Sequence, residues 1–310
     1  MEEDSQRIVT SEVTITINNT GYTDEGADND GIEHETLFTF SCPPHLLPNQ
    51  ANGSNSKALE YDSDGDIVVH RRQEKEVEET EMHLRISHWN SSTVEEVGRQ
   101  VWRGALYLAD FFLSGGIDIE GETLFEIGCG CGLTAIAAGI CNAERVVASD
   151  LEQNIALAKK NVDVNSEHLR RSVQVIPFDV IDDVGRVPDE LSGASLVYGA
   201  DVVYDDELSE AIVDLVEMLL IKYPKMERRR FLFTVEKRFV FTIKDLRTVA
   251  HAFEYFMAKM KERLLEEGGQ VHEMYDVKVE VMNGDKITQI FCYERSPEMV
   301  LVLIDAKLKL

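Results

Sequence analysis

The sequence predicts an α/β fold: a mostly parallel, seven-stranded sheet covered by helices on both faces and ending in an antiparallel hairpin. Two observations predict it. From Thr123 to about Glu267, short apolar runs alternate with segments of helical period. Strands apolar on both faces belong to a parallel sheet sandwiched by helices. Near the C-terminus, "YDVKVEVMNGDKITQIFCYER" breaks the alternation and reads as two strands meeting at Asn283-Gly284, the dipeptide of a tight turn.

The elements follow in order. "SSTVEEVGRQVWRGALYLADFFLSGG" predicts one helix, because Ser92 with Glu95 makes a capping box and Val94, Val97, Val101, Ala105, Leu108 and Phe112 recur at helical spacing. Gly115-Gly116 ends it. "TLFEIG" is a short apolar strand, "LTAIAAGIC" a helix of small residues, "RVVASD" a strand and "EQNIALAKKNVDVNS" a helix. "VQVIPFD" and "SLVYGADVVY" are the next strands. "DELSEAIVDLVEMLLIKY" is a helix with Leu208, Ile212, Leu215 and Leu219 on one face. "RRFLFTVEK" is a strand, and a long amphipathic helix is expected from Asp245 to about Glu267.

Upstream the composition changes. Residues 1–100 hold 21 acidic and 7 basic side chains, a solvated balance. Residues 1–84 are therefore expected to be an acidic, partly disordered extension with short strands such as "EVTITIN" and "TLFTFSC", and residues 85–310 the folded domain. "YDSDGDIVVHRR" suggests a calcium loop but lacks the Asp-x-Asp-x-Asp-Gly order and the closing Glu.

A net charge of −26 argues against an extended phosphate-binding face, so nucleic acid is not expected as a direct ligand; an acidic surface would attract a basic protein partner, and simple solubility is the plainer reading of the same charge. No run of eighteen apolar residues exists, and "MEEDSQRIVTSE" lacks the blocks of a signal peptide. The expectation is a soluble nuclear or cytoplasmic monomer, away from membranes. Five cysteines, mostly inside apolar segments, fit reduced thiols.

"FEIGCGCGLTAI" places Gly128, Gly130 and Gly132 after the first strand of the alternating series and before a helix. Glycines there let the backbone turn sharply and approach a ligand, and the helix start offers free amides. The plain alternative is a tight turn with no ligand. A dinucleotide loop wants Gly-x-Gly-x-x-Gly, and Leu133 stands at its third glycine. Glu-x-Gly-x-Gly-x-Gly instead resembles motif I of the S-adenosylmethionine-dependent methyltransferases, which implies that Glu126 meets the cofactor's ammonium group.

Two further carboxylates end strands. Asp150, about eighteen residues after Gly132, can accept both ribose hydroxyls, and Asp179 lies where it could accept from the adenine amine. Cys129 and Cys131 form a Cys-x-Cys pair with no other ligand close in sequence, poor zinc spacing. No metal is expected, and both read as small packing residues.

"VWRGALYLADFFL", then "EIGCGCG", "ASD", "FDV" and "DVVYDD", is similar to the protein-lysine methyltransferases of methyltransferase family 16. That resemblance implies a Rossmann-like class I methyltransferase sheet and S-adenosylmethionine as cofactor. Trp102 would pack against the cofactor, Gly128, Cys129, Gly130 and Gly132 would line its methionine part, and Asp150 would hold its ribose. Asp179 and Val180 would border the adenine, although the family usually has Trp at the place of Val180. Ala200 would line the cofactor, while Asp201 and Tyr204 would face the incoming lysine as the catalytic pair. A narrower likeness within the family, carried by "FTVEKRFVFTIKDL" and "FCYERS", implies a basic, nuclear, nucleic-acid-binding protein as substrate.

Plainer readings stand beside these. Asp205 or Asp206 caps the next helix, as Asp commonly does. Trp102 could be a core residue of its helix. His251 with Glu254 is a lone His-x-x-Glu pattern and reads as surface or core, and the basic residues Lys222, Lys225 and Arg228 to Arg230 read as a solvated edge. Two rival functions keep the same cofactor site: methylation of a small molecule or another residue, and a non-catalytic interaction protein that retains the fold.

Overall fold

The computed structural model describes residues 8–10, 33–47, 80–183, 185–223, 226–242 and 247–309. The chain opens with β1 (Ile8–Thr10), β2 (Glu33–Ser41), β3 (Glu81–Trp89) and β4 (Ser91–Thr93). The alternating part runs α1 (Arg103–Leu113), β5 (Thr123–Ile127), α2 (Leu133–Ile140), β6 (Arg145–Asp150), α3 (Glu152–Val164), β7 (Val173–Pro177), α4 (Asp189–Ser192), β8 (Leu196–Ala200), α5 (Asp206–Lys222) and β9 (Arg228–Glu236). It ends with β10 (Val240–Thr242), β11 (Arg247–Val249), α6 (His251–Leu265), α7 (Gln270–Met274), β12 (Tyr275–Asn283) and β13 (Met299–Leu308).

Seven strands form the central sheet in the order β12-β13-β9-β8-β5-β6-β7. Strands β9, β8, β5, β6 and β7 are parallel, and β13 lies antiparallel between β9 and β12. The order turns around at β5 and β8, the place where open sheets of this kind receive ligands at the carboxyl ends of their strands. Alternate residues serve opposite faces: Leu124, Leu196 and Leu232 join the core beneath α1 and α2, while Phe125, Val197 and Phe231 join the core beneath α5 and α6. This two-sided burial is why the strands read as continuous apolar runs.

The β2 and β3 hairpin pairs Glu33 with Trp89 through to Ser41 with Glu81. Phe38 and Phe40 are buried edge-on against Phe291. A stretch of the acidic extension thus packs on the domain, and the expected division at residue 84 runs through β3. "EVTITIN" and the acidic "YDSDGDIVVHRR" lie outside the described residues.

Four local expectations change. The helix expected from Ser92 is two pieces: a 3-10 helix at Val94–Arg99, an extended break, and α1 from Arg103. No side chain caps the first piece; the Ser92 hydroxyl instead donates to the Thr93 carbonyl and accepts from Gln100. The hairpin expected at Asn283-Gly284 does not form there. β12 pairs with β13, and the intervening segment is a long loop because Asp110 on α1 accepts from the amides of Ile290 and Phe291, the Tyr293 hydroxyl and Arg295.

The long helix starts at His251 rather than Asp245, after β11. The arginines of the basic run are structural: Arg228 makes a two-pronged ion pair with Asp305, Arg229 is buried and donates to the carbonyls of Leu219 and Ser192, and Arg230 pairs with Glu122 at 2.5 Å, while Lys222 is exposed as expected and Lys225 lies outside the described residues.

Candidate active site

Strands β5, β6 and β8 deliver their carboxyl ends to one edge. The loop from β5 into α2 holds Gly128, Gly130 and Gly132 at φ of 65°, 53° and 80°, the left-handed region that favours glycine. A Cβ on Gly130 would stand 2.7 Å from the Gly98 carbonyl, so the 3-10 segment closes directly on the loop. The Cys129 amide donates to Ser149 on β6, and the Gly130 amide donates to Asp150 Oδ2 at 2.7 Å.

Asp150 is nearly buried, and its Oδ1 accepts from the Leu151 amide and Asn154 Nδ2 at 2.8 and 2.7 Å. Burial pushes its carboxyl up, and the bonds from Asn154, Gly130 and Leu151 oppose the rise. The carboxylate is thereby fixed in direction before any ligand arrives.

Glu126 lies deeper. It is fully buried, and Tyr198 donates to its Oε2 at 3.3 Å. Its Oε1 has no hydrogen-bond partner, although the Thr134 hydroxyl and the Ala135 amide lie near enough to weigh on its titration. Burial prevails and pushes the carboxyl up to about 8. A buried carboxyl with an oxygen not committed to a protein donor can take a cation as its partner when ionised.

Asp201 follows β8 with φ of 57°, unusual for a residue with a side chain. Its amide donates to the Thr234 carbonyl, and the Thr234 hydroxyl donates to the Gly104 carbonyl at 3.0 Å. A Cβ on Gly104 would come within 2.8 Å of Asp201 Cβ. Only glycine at the start of α1 lets Asp201 sit there.

Trp102 is the residue just before α1, half-buried, with its indole N–H donating to the Val97 carbonyl at 2.9 Å. It is therefore not a core residue of a helix. Tyr204 is 51% exposed, and partial burial raises its pKa, with Asp150, Asp205 and Asp201 adding to the rise. The phenol thus stands in the field of both the β6 and the β8 carboxylates. Asp205 takes the plainer role: it caps α5 by accepting from the amides of Glu207 and Leu208.

The remaining sequence candidates are more peripheral. Asp179 uses Oδ1 to accept from the amides of Ile181 and Asp182, fixing the turn after β7. Val180 is buried in the core on the α5 side, and Ala200 is half-buried at the end of β8. Cys129 and Cys131 are buried thiols pushed up by desolvation, and Cys131 Sγ donates to the Arg99 carbonyl at 3.2 Å. Among the described residues no group of three or more His, Cys, Asp or Glu could hold a metal, and no helix is long and apolar enough to cross a membrane. His251 meets Asp206 at 3.0 Å on the surface.

Sequence reasoning missed Gly98, Gly104, Asn154 and Thr234. Gly98 lies where a Cβ would strike Asn154 Nδ2 at 2.4 Å, so it belongs to the support of Asp150. The small residue after Val-Trp was the available signal for Gly104, but its partner lies on another strand.

A glycine loop beside two strand-end carboxylates, with Asp201 following β8 at the same carboxyl edge, offers partners for a ligand that carries hydroxyls and a cation. The lysine methyltransferase family profile matches residues 79–263. The chain belongs to that family. It is 31% identical over 195 residues to "Methyltransferase-like protein 22" of Mus musculus, covering 57% of this chain and 49% of that protein. It is 30% identical over 155 residues to "Protein N-lysine methyltransferase METTL21A" of Danio rerio, covering 46% and 69%. The chain spans about half the length of the mouse relative and 46% of its Homo sapiens counterpart. The family's methyl donor is S-adenosylmethionine. The residues present fit it: the unpaired Oε1 of Glu126 suits its ammonium group, and the pre-set Asp150 suits vicinal hydroxyls.

Proposed function

We propose that this chain is an S-adenosylmethionine-dependent protein-lysine N-methyltransferase. The observation that carries the reading is Asp201, a carboxylate with 7% of its side chain exposed, held at positive φ at the carboxyl edge beside the cofactor cradle. The likeness to protein N-lysine methyltransferases supports it.

Bound S-adenosylmethionine supplies an electrophilic methyl group. The chain does the rest. Glu126, the glycine loop and Asp150 hold the donor, with Trp102, Asp179, Val180 and Ala200 bordering it. Asp201 draws in the lysine ammonium and aims its nitrogen, and Tyr204 closes the other side. A free lysine has a pKa of about 10.4, so roughly one in two thousand is neutral at pH 7. The amine must lose a proton in the site, and water linked to the Asp201 carboxylate can take it. Placement supplies most of the acceleration, since holding two reactants in line lowers a barrier by several kcal/mol.

For substrate we propose a basic, nuclear, nucleic-acid-binding protein. The net charge of −26 suits a basic partner. Incubating the protein with methyl-labelled cofactor and a nuclear extract, then locating the label by mass spectrometry, tests both statements. Label on lysine of a basic protein is expected. Label confined to small molecules or to other residue types would overturn the lysine assignment.

A further inference from the structure

Beside Asp201 lies a cleft of about 550 Å³ whose lining includes Arg103, Glu236, Lys237, Arg238, Phe239 and Glu298. Its three cations behave differently. Arg103 is tied to Glu236 at 2.9 Å, and Lys237 lies over the Phe253 ring at 4.6 Å. Arg238, just past the end of β9, reaches across the strand ends instead. Its guanidinium stands 4.0 Å from Asp201 Oδ2 and 5.5 Å from the centre of the Trp102 ring. A carboxylate on one side and an aromatic face on the other is the environment that a lysine ammonium seeks.

We propose that Arg238 is a resident cation plug of the lysine subsite, and that an incoming ammonium must displace it. The inference rests on the reading of Asp201 as the lysine-facing carboxylate. The contact is built to yield. The Arg238 side chain is 47% exposed, and the ion pair is at the long end of the range, so solvent screens it. Asp201, by contrast, is nearly covered, so its carboxylate favours a cation beside it.

A guanidinium keeps its charge at any working pH, so the plug is removed by competition and not by titration. The consequence is selectivity. A free amine must out-compete a tethered cation, whereas a protein chain gains further contacts along the cleft, with Phe239 exposed at its wall. Arg238 therefore raises the threshold for isolated lysines and leaves protein-borne lysine as the substrate.

The test uses n-butylammonium, the end of a lysine side chain, as probe. Trp89 and Trp102 are the two tryptophans, so a Trp89→Phe background lets indole fluorescence report on Trp102. Arg238→Gln is expected to bind n-butylammonium roughly tenfold more tightly than the parent, a gain of about 1.4 kcal/mol. Arg238→Lys, which returns a cation to the same place, is expected to match the parent. Adding Asp201→Asn to Arg238→Gln should abolish the gain. Melting temperature and S-adenosylhomocysteine binding check that each variant is folded, with Arg238→Met as a second neutral variant.

Equal, weaker or undetectable binding by both neutral variants, while Asp201→Asn still abolishes methyl transfer, overturns the plug alone. A gain that survives Asp201→Asn places the cation elsewhere and overturns the Asp201 reading with it.

Discussion

Gly104 at the start of α1 faces Asp201 at the end of β8 so closely that a Cβ added to the glycine would stand 2.8 Å from Asp201 Cβ. Two backbone-linked bonds through Thr234 hold the pair in register. Real Cβ contacts are not that short, so Gly104→Ala must push Asp201 or α1 aside. Methyl transfer is expected to fall by about 100-fold, the scale that an ångström of misplacement costs a reacting pair. S-adenosylhomocysteine affinity, read by titration calorimetry, should stay within a few-fold; an unchanged turnover would separate Gly104 from the site.

Glu126, proposed to meet the cofactor's ammonium group, is expected to make cofactor binding depend on pH. Its carboxyl is pushed up to about 8 by burial, so at neutral pH much of it is protonated without a ligand. An ammonium group binds the ionised form. Affinity for S-adenosylhomocysteine should therefore rise as pH increases from 6 through about 8, and Glu126→Gln should flatten that slope. The same raised value has the opposite effect on the unliganded fold. A carboxyl whose folded pKa exceeds its unfolded one stabilises at low pH, and that contribution is lost as pH climbs from the ordinary 4.5 through about 8. Glu126→Gln should lose less melting temperature across that window than the parent.

Asp150 predicts a different signature. Its oxygens are aimed by Gly130, Leu151 and Asn154. Asp150→Ala should weaken S-adenosylhomocysteine by at least about tenfold, on the scale of hydrogen bonds to a charged group. Asn154→Ala should weaken it less. Equal affinity for Asp150→Ala would remove the ribose role.

Asp110 is a matter of stability. It is fully buried, and it gathers the loop after β12 through two amides, Tyr293 and Arg295. Asp110→Ala removes the carboxylate that pairs with the mostly buried Arg295 and should cost about 3–5 kcal/mol in urea unfolding. A loss under 1 kcal/mol would mean that the loop is held by its apolar contacts alone.

The parallel sheet was legible because both faces of each strand are covered, which writes the strand as an uninterrupted apolar run. That Glu126, Asp150 and Asp201 lie at strand ends along one edge was legible because chain topology brings strand ends together wherever they occur in sequence, whereas the roles proposed for Glu126 and Asp201 come from the family resemblance. The end of the chain was not. Asn283-Gly284 carries a strong local turn signal, but Asp110 draws Phe291 and Tyr293 into the core and leaves β13 as the partner of β12. Local turn preference lost to a tertiary network whose members are about 180 residues apart. Gly104, Thr234 and Arg238 were hidden for the same reason: each acts through a neighbour on another element, and no periodicity records it.

The central claim is that Asp201 holds the lysine and not the cofactor. Asp201→Ala, measured in parallel for methyl transfer to the labelled nuclear substrate and for S-adenosylhomocysteine affinity, tests it most directly. Transfer should vanish while affinity stays within a few-fold of the parent. Wild-type turnover by that variant, or a loss of cofactor affinity as large as the loss of transfer, would contradict it.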